Sequence, residues 1–368
     1  MRVLITGGAG FLGYHLAAYL GRHGHTSIVY DIVAPDPAEY PGDMEYVVGD
    51  VRNLSSLRRA IEQRRPDQII HGAAALPLWL REDIYTVNLD GTKYVLTAAR
   101  DAGVDRVVFI SSTAVYGVPD KHPLEEDDPM IGVGPYGESK ILAERVCEEG
   151  RREGLCVPVI RPKTFIGTGR LGVFQILCDW VESGVRIPMI GSGGNTYQLL
   201  DVEDLCGAIY LAMAGPRDVV NDVFNVGSSD LRPVREYLGA LCAHAGTGST
   251  PMATNAAMVK TFLRCAEVLR LSPLYKWVYG TADTDSWVST QRIERALGWK
   301  PEFSNSDALI RCYAWYLAHK HELAGATGIT HRVAWRQGVL GLVKRCLGSR
   351  RGRRPEAPSV TVRPRDED

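Results

Sequence analysis

The sequence predicts an α/β protein, a doubly wound parallel sheet followed by a smaller C-terminal lobe. Two observations carry this expectation. Over the first 163 residues, short apolar runs alternate with amphipathic helical stretches. Apolar strands alternating with helices belong to a parallel sheet covered on both faces. A glycine-rich turn, Gly7-Gly8-Ala9-Gly10-Phe11-Leu12-Gly13, follows the first apolar run and opens the first helical stretch.

The elements follow in order. Residues 2–6 read as a strand and the helix after the glycine turn runs through Arg22. Further strands are expected at 27–30, 45–48, 68–71, 106–111 and 157–161, and helices at 54–64, 84–102 and 136–153. From Thr164 the pattern becomes irregular. Residues 199–202 and 223–226 read as short strands returning to the sheet, and 230–325 as mostly helical with loops at 245–250 and 271–284. The resulting division is a dinucleotide-binding unit at 1–163 with returning segments at about 199–228, an interleaved lobe at 164–325, and a basic amphipathic segment with a disordered tail at 326–368.

Composition narrows the function classes. The chain has 368 residues, 45% hydrophobic and 23% charged, an ordinary globular balance with enough length for a large core. A net charge of -1 provides no global field for nucleic acid. Eight scattered cysteines include no Cys-x-x-Cys, so neither a metal site nor a disulfide scaffold is expected, and reduced thiols in the cytoplasm are. The first apolar run meets glycines at once and reads as a strand rather than a signal peptide. No apolar stretch approaches the ~20 residues that span a bilayer.

The glycine turn is suited to a dinucleotide. Among Gly7, Gly10 and Gly13, one glycine permits a tight turn, one lets backbone approach a pyrophosphate, and the last allows close helix–strand packing. Phe11 and Leu12 begin the helix, whose positive end favours the anion. Asp31 ends the second strand. A carboxylate there accepts both adenosine ribose hydroxyls and repels the extra phosphate of NADP. No Arg or Lys lies between Arg22 and Arg52, so the expected cofactor is NAD. Asp50 and Val51 are expected to flank the adenine, and the small side chains of Ala73 and Ala74 to leave room for the cofactor.

Tyr136 and Lys140 lie four residues apart and share one helix face. A free tyrosine, with a pKa of about 10, is a poor base at neutral pH. A neighbouring ammonium and a positive nicotinamide ring favour the phenolate. Ser112, just after the fifth strand, is placed to hydrogen-bond the same substrate oxygen. The expected relay takes the proton of a substrate hydroxyl to Tyr136 and its hydride to the nicotinamide. Lys140 is also expected to hold the nicotinamide ribose.

These residues together resemble the extended short-chain dehydrogenase/reductase family, the branch of nucleotide-sugar epimerases and dehydratases. The resemblance spans about residues 1–320. It includes His71-Gly72-Ala73-Ala74, Val87-Asn88-Leu89-Asp90-Gly91-Thr92, Ser111-Ser112-Thr113-Ala114-Val115-Tyr116-Gly117, Arg161-Pro162, Asp201-Val202-Glu203-Asp204-Leu205, Phe224-Asn225-Val226-Gly227 and Leu297-Gly298-Trp299-Lys300-Pro301. It implies a Rossmann fold, bound NAD, a small C-terminal substrate-binding lobe and a homodimer through the helices carrying Asn88 and Tyr136. It matches Ser112 to the family's catalytic Ser/Thr, with Thr113 as the alternative. Sugar 4,6-dehydratases of the family carry an acidic pair right after that residue. Here Thr113 and Ala114 stand there, which argues against dehydration.

Two departures bear on substrate. Thr164 stands where many nucleotide-sugar enzymes have an asparagine, and Tyr197-Gln198 where many have an arginine. Thr113, Thr164 and Arg170 are the candidate substrate contacts, with Lys163 or Arg170 as replacement charge. The leading expectation is an NAD-dependent nucleotide-sugar epimerase. Its rival is a net dehydrogenase of an apolar secondary alcohol, similar to hydroxysteroid dehydrogenases, with the apolar loop at 76–80 lining its pocket or merely packing beneath the cofactor loop. A non-catalytic scaffold has no need for Ser112, Tyr136 and Lys140 together. The segment 331–347, with Trp335 and the arginines at 350–354, reads either as a helix at an anionic membrane surface or as a helix packed on the body.

Overall fold

The computed structural model describes residues 1–40, 44–77, 79–169, 174–268 and 276–321, with Leu340, Gly341, Val343 and Lys344. The first half runs β1 (Arg2–Thr6), α1 (Phe11–Arg22), β2 (Thr26–Asp31), β3 (Met44–Val48), α2 (Leu54–Arg64), β4 (Gln68–His71), α3 (Arg81–Tyr85), α4 (Gly91–Asp101), β5 (Arg106–Ile110), α5 (Gly134–Arg152) and β6 (Val159–Pro162). The second half runs β7 (Thr164–Ile166), α6 (Phe174–Glu182), β8 (Ile187–Met189), β9 (Leu199–Asp201), α7 (Val202–Ala214), α8 (Arg217–Val220) and β10 (Val223–Val226). It ends with α9 (Val234–Ala245), β11 (Pro251–Ala253), α10 (Ala256–Val268), α11 (Lys276–Thr281), α12 (Gln291–Leu297) and α13 (Asn305–His319).

Seven strands form one sheet in the order β10-β6-β5-β4-β1-β2-β3. Every pairing in it is parallel. Successive strand residues point to opposite faces, and both faces are dry. Val3 and Ile5 join Leu16, Leu20, Ile70, Val108, Ile209 and Phe224 on the α1/α7 side. Leu4 joins Ile28, Leu57, Ile69, Val95, Val107 and Cys147 on the α2/α4/α5 side. Burying each large aliphatic side chain contributes roughly 1.5–3 kcal/mol. The sheet is thus the doubly wound one expected, and the strand at 2–6 and the helix at 54–64 have the expected bounds.

Two expectations are corrected. The strand at 199–202 does not return to the main sheet: Leu199–Asp201 pairs with Thr164–Ile166 in a separate two-stranded sheet. Of the two returning strands, β10 alone joins β6. The helix expected at 84–102 begins at Arg81 and is interrupted by a π-helical stretch, Thr86–Asp90. There the Thr92 hydroxyl donates to the Asn88 carbonyl at 2.6 Å. Such insertions mark functional positions.

The smaller lobe has its own core. Trp180 of α6, Leu241 of α9 and Leu309 and Tyr313 of α13 pack together there. Ser304 and Asp307 form a capping box that starts α13. Leu340 and Val343 pack against this core, and Lys344 donates to Asp179 at 2.5 Å. These few residues of the C-terminal segment lie on the body, while 331–339 and 345–368, including Trp335 and the arginines at 350–354, fall outside the described residues. Among the described residues no helix is long and apolar enough to cross a membrane.

Candidate active site

Because the sheet is parallel, the C-terminal ends of its strands share one edge. Gly7, Asp50, Ala73, Ser112 and Lys163 follow strands there, and Asp31 ends one. Strand order reverses between β1 and β4, and ligands of such sheets bind at that switch point. Gly7 lies at this crevice with φ 70°. A Cβ on it would meet the Ala73 backbone at 2.8 Å. A Cβ on Gly13 would come within 2.4 Å of Gly8 Cα. Gly10 is the N-cap of α1 and brings no capping side chain to its first turn. These three positions form a cradle that suits a pyrophosphate.

The remaining cofactor candidates surround it. Asp31 accepts from the Ala9 and Val33 amides at 3.0 and 3.1 Å, which aims its carboxylate at the glycine turn. Phe11 turns inward and stacks on Phe165 with centroids 5.8 Å apart, and Leu12 packs against the core. Asp50 is gripped by Arg52 at 2.7 Å, and Arg52 also reaches Asp83 at 3.0 Å. Burial pushes the Asp50 carboxyl up, and the bonds and charge from Arg52 outweigh it. Val51 is buried, and Ala73 and Ala74 are half-buried. Gly7→Val is expected to abolish NAD affinity measurable by calorimetry while the protein stays folded; unchanged affinity would contradict the cradle.

Ser112 caps a 3-10 turn, Thr113–Tyr116, just after β5, and accepts from the Ala114 amide at 3.2 Å. Tyr136 lies in the first turn of α5, with its phenol beside Ser112. Lys140 lies one turn on, 2% exposed, and donates to the Ile110 carbonyl at 2.8 Å. Its ammonium sits 4.8 Å from the Phe109 ring centroid. Burial pushes the Tyr136 phenol up to about 12, and the neighbouring Ser112 works against it. Burial pulls Lys140 down to about 8. The expected lowering of the phenol by Lys140 does not figure among the chain's own influences. Sharing a helix face brings the Cβ atoms together, but the ammonium reaches down to the end of β5.

Two groups missed in the sequence hold this geometry. Asn88, 1% exposed, accepts from the Ala75 amide at 2.8 Å and donates to the Ala75 carbonyl at 3.2 Å and the Ser139 hydroxyl at 2.9 Å. Ser139 in turn donates to the Tyr136 carbonyl at 2.8 Å. Asn88 thus ties the loop beside the cradle to the helix carrying Tyr136. Behind the site, Arg161 pairs with Glu144 at 2.6 Å, both nearly fully buried. Arg161 also donates to the Tyr116 hydroxyl at 2.7 Å and the Glu126 carbonyl at 2.8 Å. The position of Asn88 in the quoted landmark and the Arg161-Pro162 pair were the available signals, but their partners are far away in sequence.

Among the candidate substrate contacts, the Thr113 hydroxyl donates to the Pro162 carbonyl at 3.3 Å, and the Thr164 hydroxyl lies 3.1 Å from that of Tyr197. Arg170 falls outside the described residues, as does Leu78. Trp79 and Leu80 are 40% and 75% exposed, so they do not pack beneath the cofactor loop. Gln198 is buried and bonds Ser228 and Val288, a structural role. Asp204, in another quoted landmark, accepts from the Glu302 and Phe303 amides at 2.8 and 3.1 Å, joining α7 to the segment before α13. Tyr279 is buried, and Trp287 lies beside His122 with ring centroids 6.1 Å apart.

Comparison with known proteins agrees with this arrangement. The model of the NAD dependent epimerase/dehydratase family matches residues 3–227. An uncharacterized protein of Sinorhizobium fredii is 32% identical over 349 residues, covering 94% of this chain and 86% of that protein. A UDP-glucose 4-epimerase of Azospirillum brasilense is 28% identical, covering 84% of this chain and 90% of the enzyme. The structure of an epimerase from Methanothermobacter thermautotrophicus superposes with a TM-score of 0.73 at 26% identity, covering 87% of this chain and 93% of that one. With the glycine cradle and the family match together, the chain belongs to the NAD-dependent epimerase/dehydratase family and is an enzyme that uses NAD.

Proposed function

We propose that this enzyme epimerises a secondary hydroxyl centre of a nucleotide sugar. The observation that carries the reading is the juxtaposition of the Tyr136 phenol with Ser112, at a site where no carboxylate follows the serine in the chain to expel water. Thr113 and Ala114 occupy those places, and the Thr113 hydroxyl is engaged by Pro162. The likeness to a UDP-glucose 4-epimerase over most of both chains supports the substrate class.

In this reading Ser112 orients the substrate hydroxyl and Tyr136 removes its proton. Lys140, held against the Ile110 carbonyl, keeps a donor beside the catalytic tyrosine and the cofactor ribose. When bound, NAD accepts and returns the hydride, and its nicotinamide cation favours the phenolate. The carbon passes through a ketone. Once the sugar has presented its other face, Tyr136 returns the proton and the opposite configuration results. Burial keeps the phenol protonated in the resting chain, which sets it up to act as the acid of this second half.

The exposed Trp79 and Leu80 favour a second reading, net oxidation of an apolar secondary alcohol approaching over that loop. One experiment separates the two. The protein is purified without added cofactor and denatured, and released dinucleotide is quantified by mass spectrometry. The native protein is then incubated with UDP-glucose or UDP-galactose. Near-stoichiometric NAD and interconversion without NADH release are expected. An empty site, no interconversion, and NADH accumulation with sterol or lipid alcohols would reject the epimerase reading.

A further inference from the structure

Lys163 stands just past β6 and is 4% exposed, yet its ammonium has no carboxylate partner among the described residues. Burying an unpaired charge is costly, so buried lysines are ordinarily paired. Arg161, two residues earlier and as deeply buried, meets the rule through Glu144. Lys163 instead donates to the Ser286 hydroxyl at 2.6 Å and sits 5.0 Å from the Tyr197 ring centroid. The Tyr197 hydroxyl shares a hydrogen bond with Thr164, which is exposed, so the cluster reaches the protein surface. On its other side, the Pro162 carbonyl is held by Thr113, the neighbour of Ser112. A buried lysine that touches the Ser286 hydroxyl and the Tyr197 ring thus lies next to the proposed chemistry.

We infer that Lys163 anchors an oxyanion of the substrate, with the hydroxyls of Ser286, Thr164 and Tyr197 completing its hydrogen bonds. The oxyanion is a phosphate of a nucleotide sugar or a carboxylate on the sugar ring. This inference deepens the proposed function and rests on it only for where the reacting hydroxyl lies. The titratable groups facing Lys163 are His122, from the segment after β5, and Tyr197, while Asp285, beside Ser286, acts on His122. Asp285 accepts from the Thr196 amide at 2.7 Å. Burial holds Lys163 down to about 7. Burial holds His122 below its usual 6.5, with Lys163 adding to the effect, and raises Tyr197 above 10. Between pH 7 and 9 an arriving anion therefore draws a proton onto Lys163, and affinity weakens as pH rises through that window.

The test uses the full-length, NAD-loaded protein. UDP-glucose and free glucuronate are titrated by calorimetry at pH 8, in two buffers of different protonation enthalpy, into wild type, K163M and K163R. Thermal melting and NAD content serve as fold controls. Wild type is expected to take up a fraction of a proton per ligand bound. K163M should lose roughly tenfold or more in affinity, together with the uptake. K163R should keep most of the affinity without uptake, because arginine stays charged. Uptake with UDP-glucose identifies a phosphate. Uptake with glucuronate alone identifies a carboxylate and rejects the nucleotide-sugar reading while this inference stands. Wild-type affinity in K163M, binding to wild type without proton uptake, or binding of neither ligand overturns it. If K163M does not fold, the contrast in uptake between wild type and K163R decides.

Discussion

Tyr136→Phe is expected to lower turnover by about 10²–10⁴-fold while leaving the fold and NAD content unchanged. The substitution removes one oxygen. The ring keeps its place in the first turn of α5, and Lys140 and Ser139 keep their bonds to Ile110 and to the Tyr136 backbone. The neighbour that feels the loss is Ser112, which lies beside the phenol. The effect should fall on the chemical step and leave substrate affinity largely intact. Turnover of the substrate identified by screening, beside mass-spectrometric NAD content and circular dichroism, checks this. Activity within threefold of wild type would move the base to another group.

Arg161→Met is expected to destabilise the protein by about 3–5 kcal/mol. The guanidinium neutralises Glu144 in a site that excludes water, and Ser111 also donates to that carboxylate. Without Arg161, Glu144 is left as a buried charge whose remaining hydrogen-bond donor among the described residues is the Ser111 hydroxyl. The Tyr116 hydroxyl loses a donor, although it still donates to Asn225 at 2.7 Å. Urea denaturation should show a lower midpoint with an unchanged slope. Adding Glu144→Gln should cost much less than the sum of the single changes, since the two residues share one interaction. A loss under 1 kcal/mol for Arg161→Met would mean that the pair contributes little.

The contrast between these residues explains what the sequence made legible. Strands such as Val3-Leu4-Ile5 and Ile69-Ile70 are nearly continuous apolar runs, the pattern of a sheet buried on both faces, and the glycine turn sits where its mechanism requires. Tyr136 and Lys140 were visible because their relation is local. Asn88 was visible only as part of a landmark, because its partners lie 13 and 51 residues away. Arg161 similarly finds Glu144 across the fold. Residues 199–201 form a strand of two leucines and an aspartate, too short to carry information about its partner, so its pairing with β7 could not be read. The burial of the Tyr136 phenol was not legible for a related reason: burial is a property of the assembled site, and it raises the phenol in the chain by itself.

The position of β10 has a consequence for assembly. The chain leaves the main sheet after Pro162 and returns only at Val223, where Phe224 and Val226 pair beside β6. Until that return, Val159 and Ile160 stand on a bare strand edge with unpaired backbone, a template for association with other chains. On the ribosome, residues 163–222 must emerge before this edge can close. The nascent protein therefore passes through a stage when six strands are present and the sheet is open on one side. Substitutions that slow folding of that intervening stretch should lower the yield of soluble protein, even where they leave the finished molecule as stable as before.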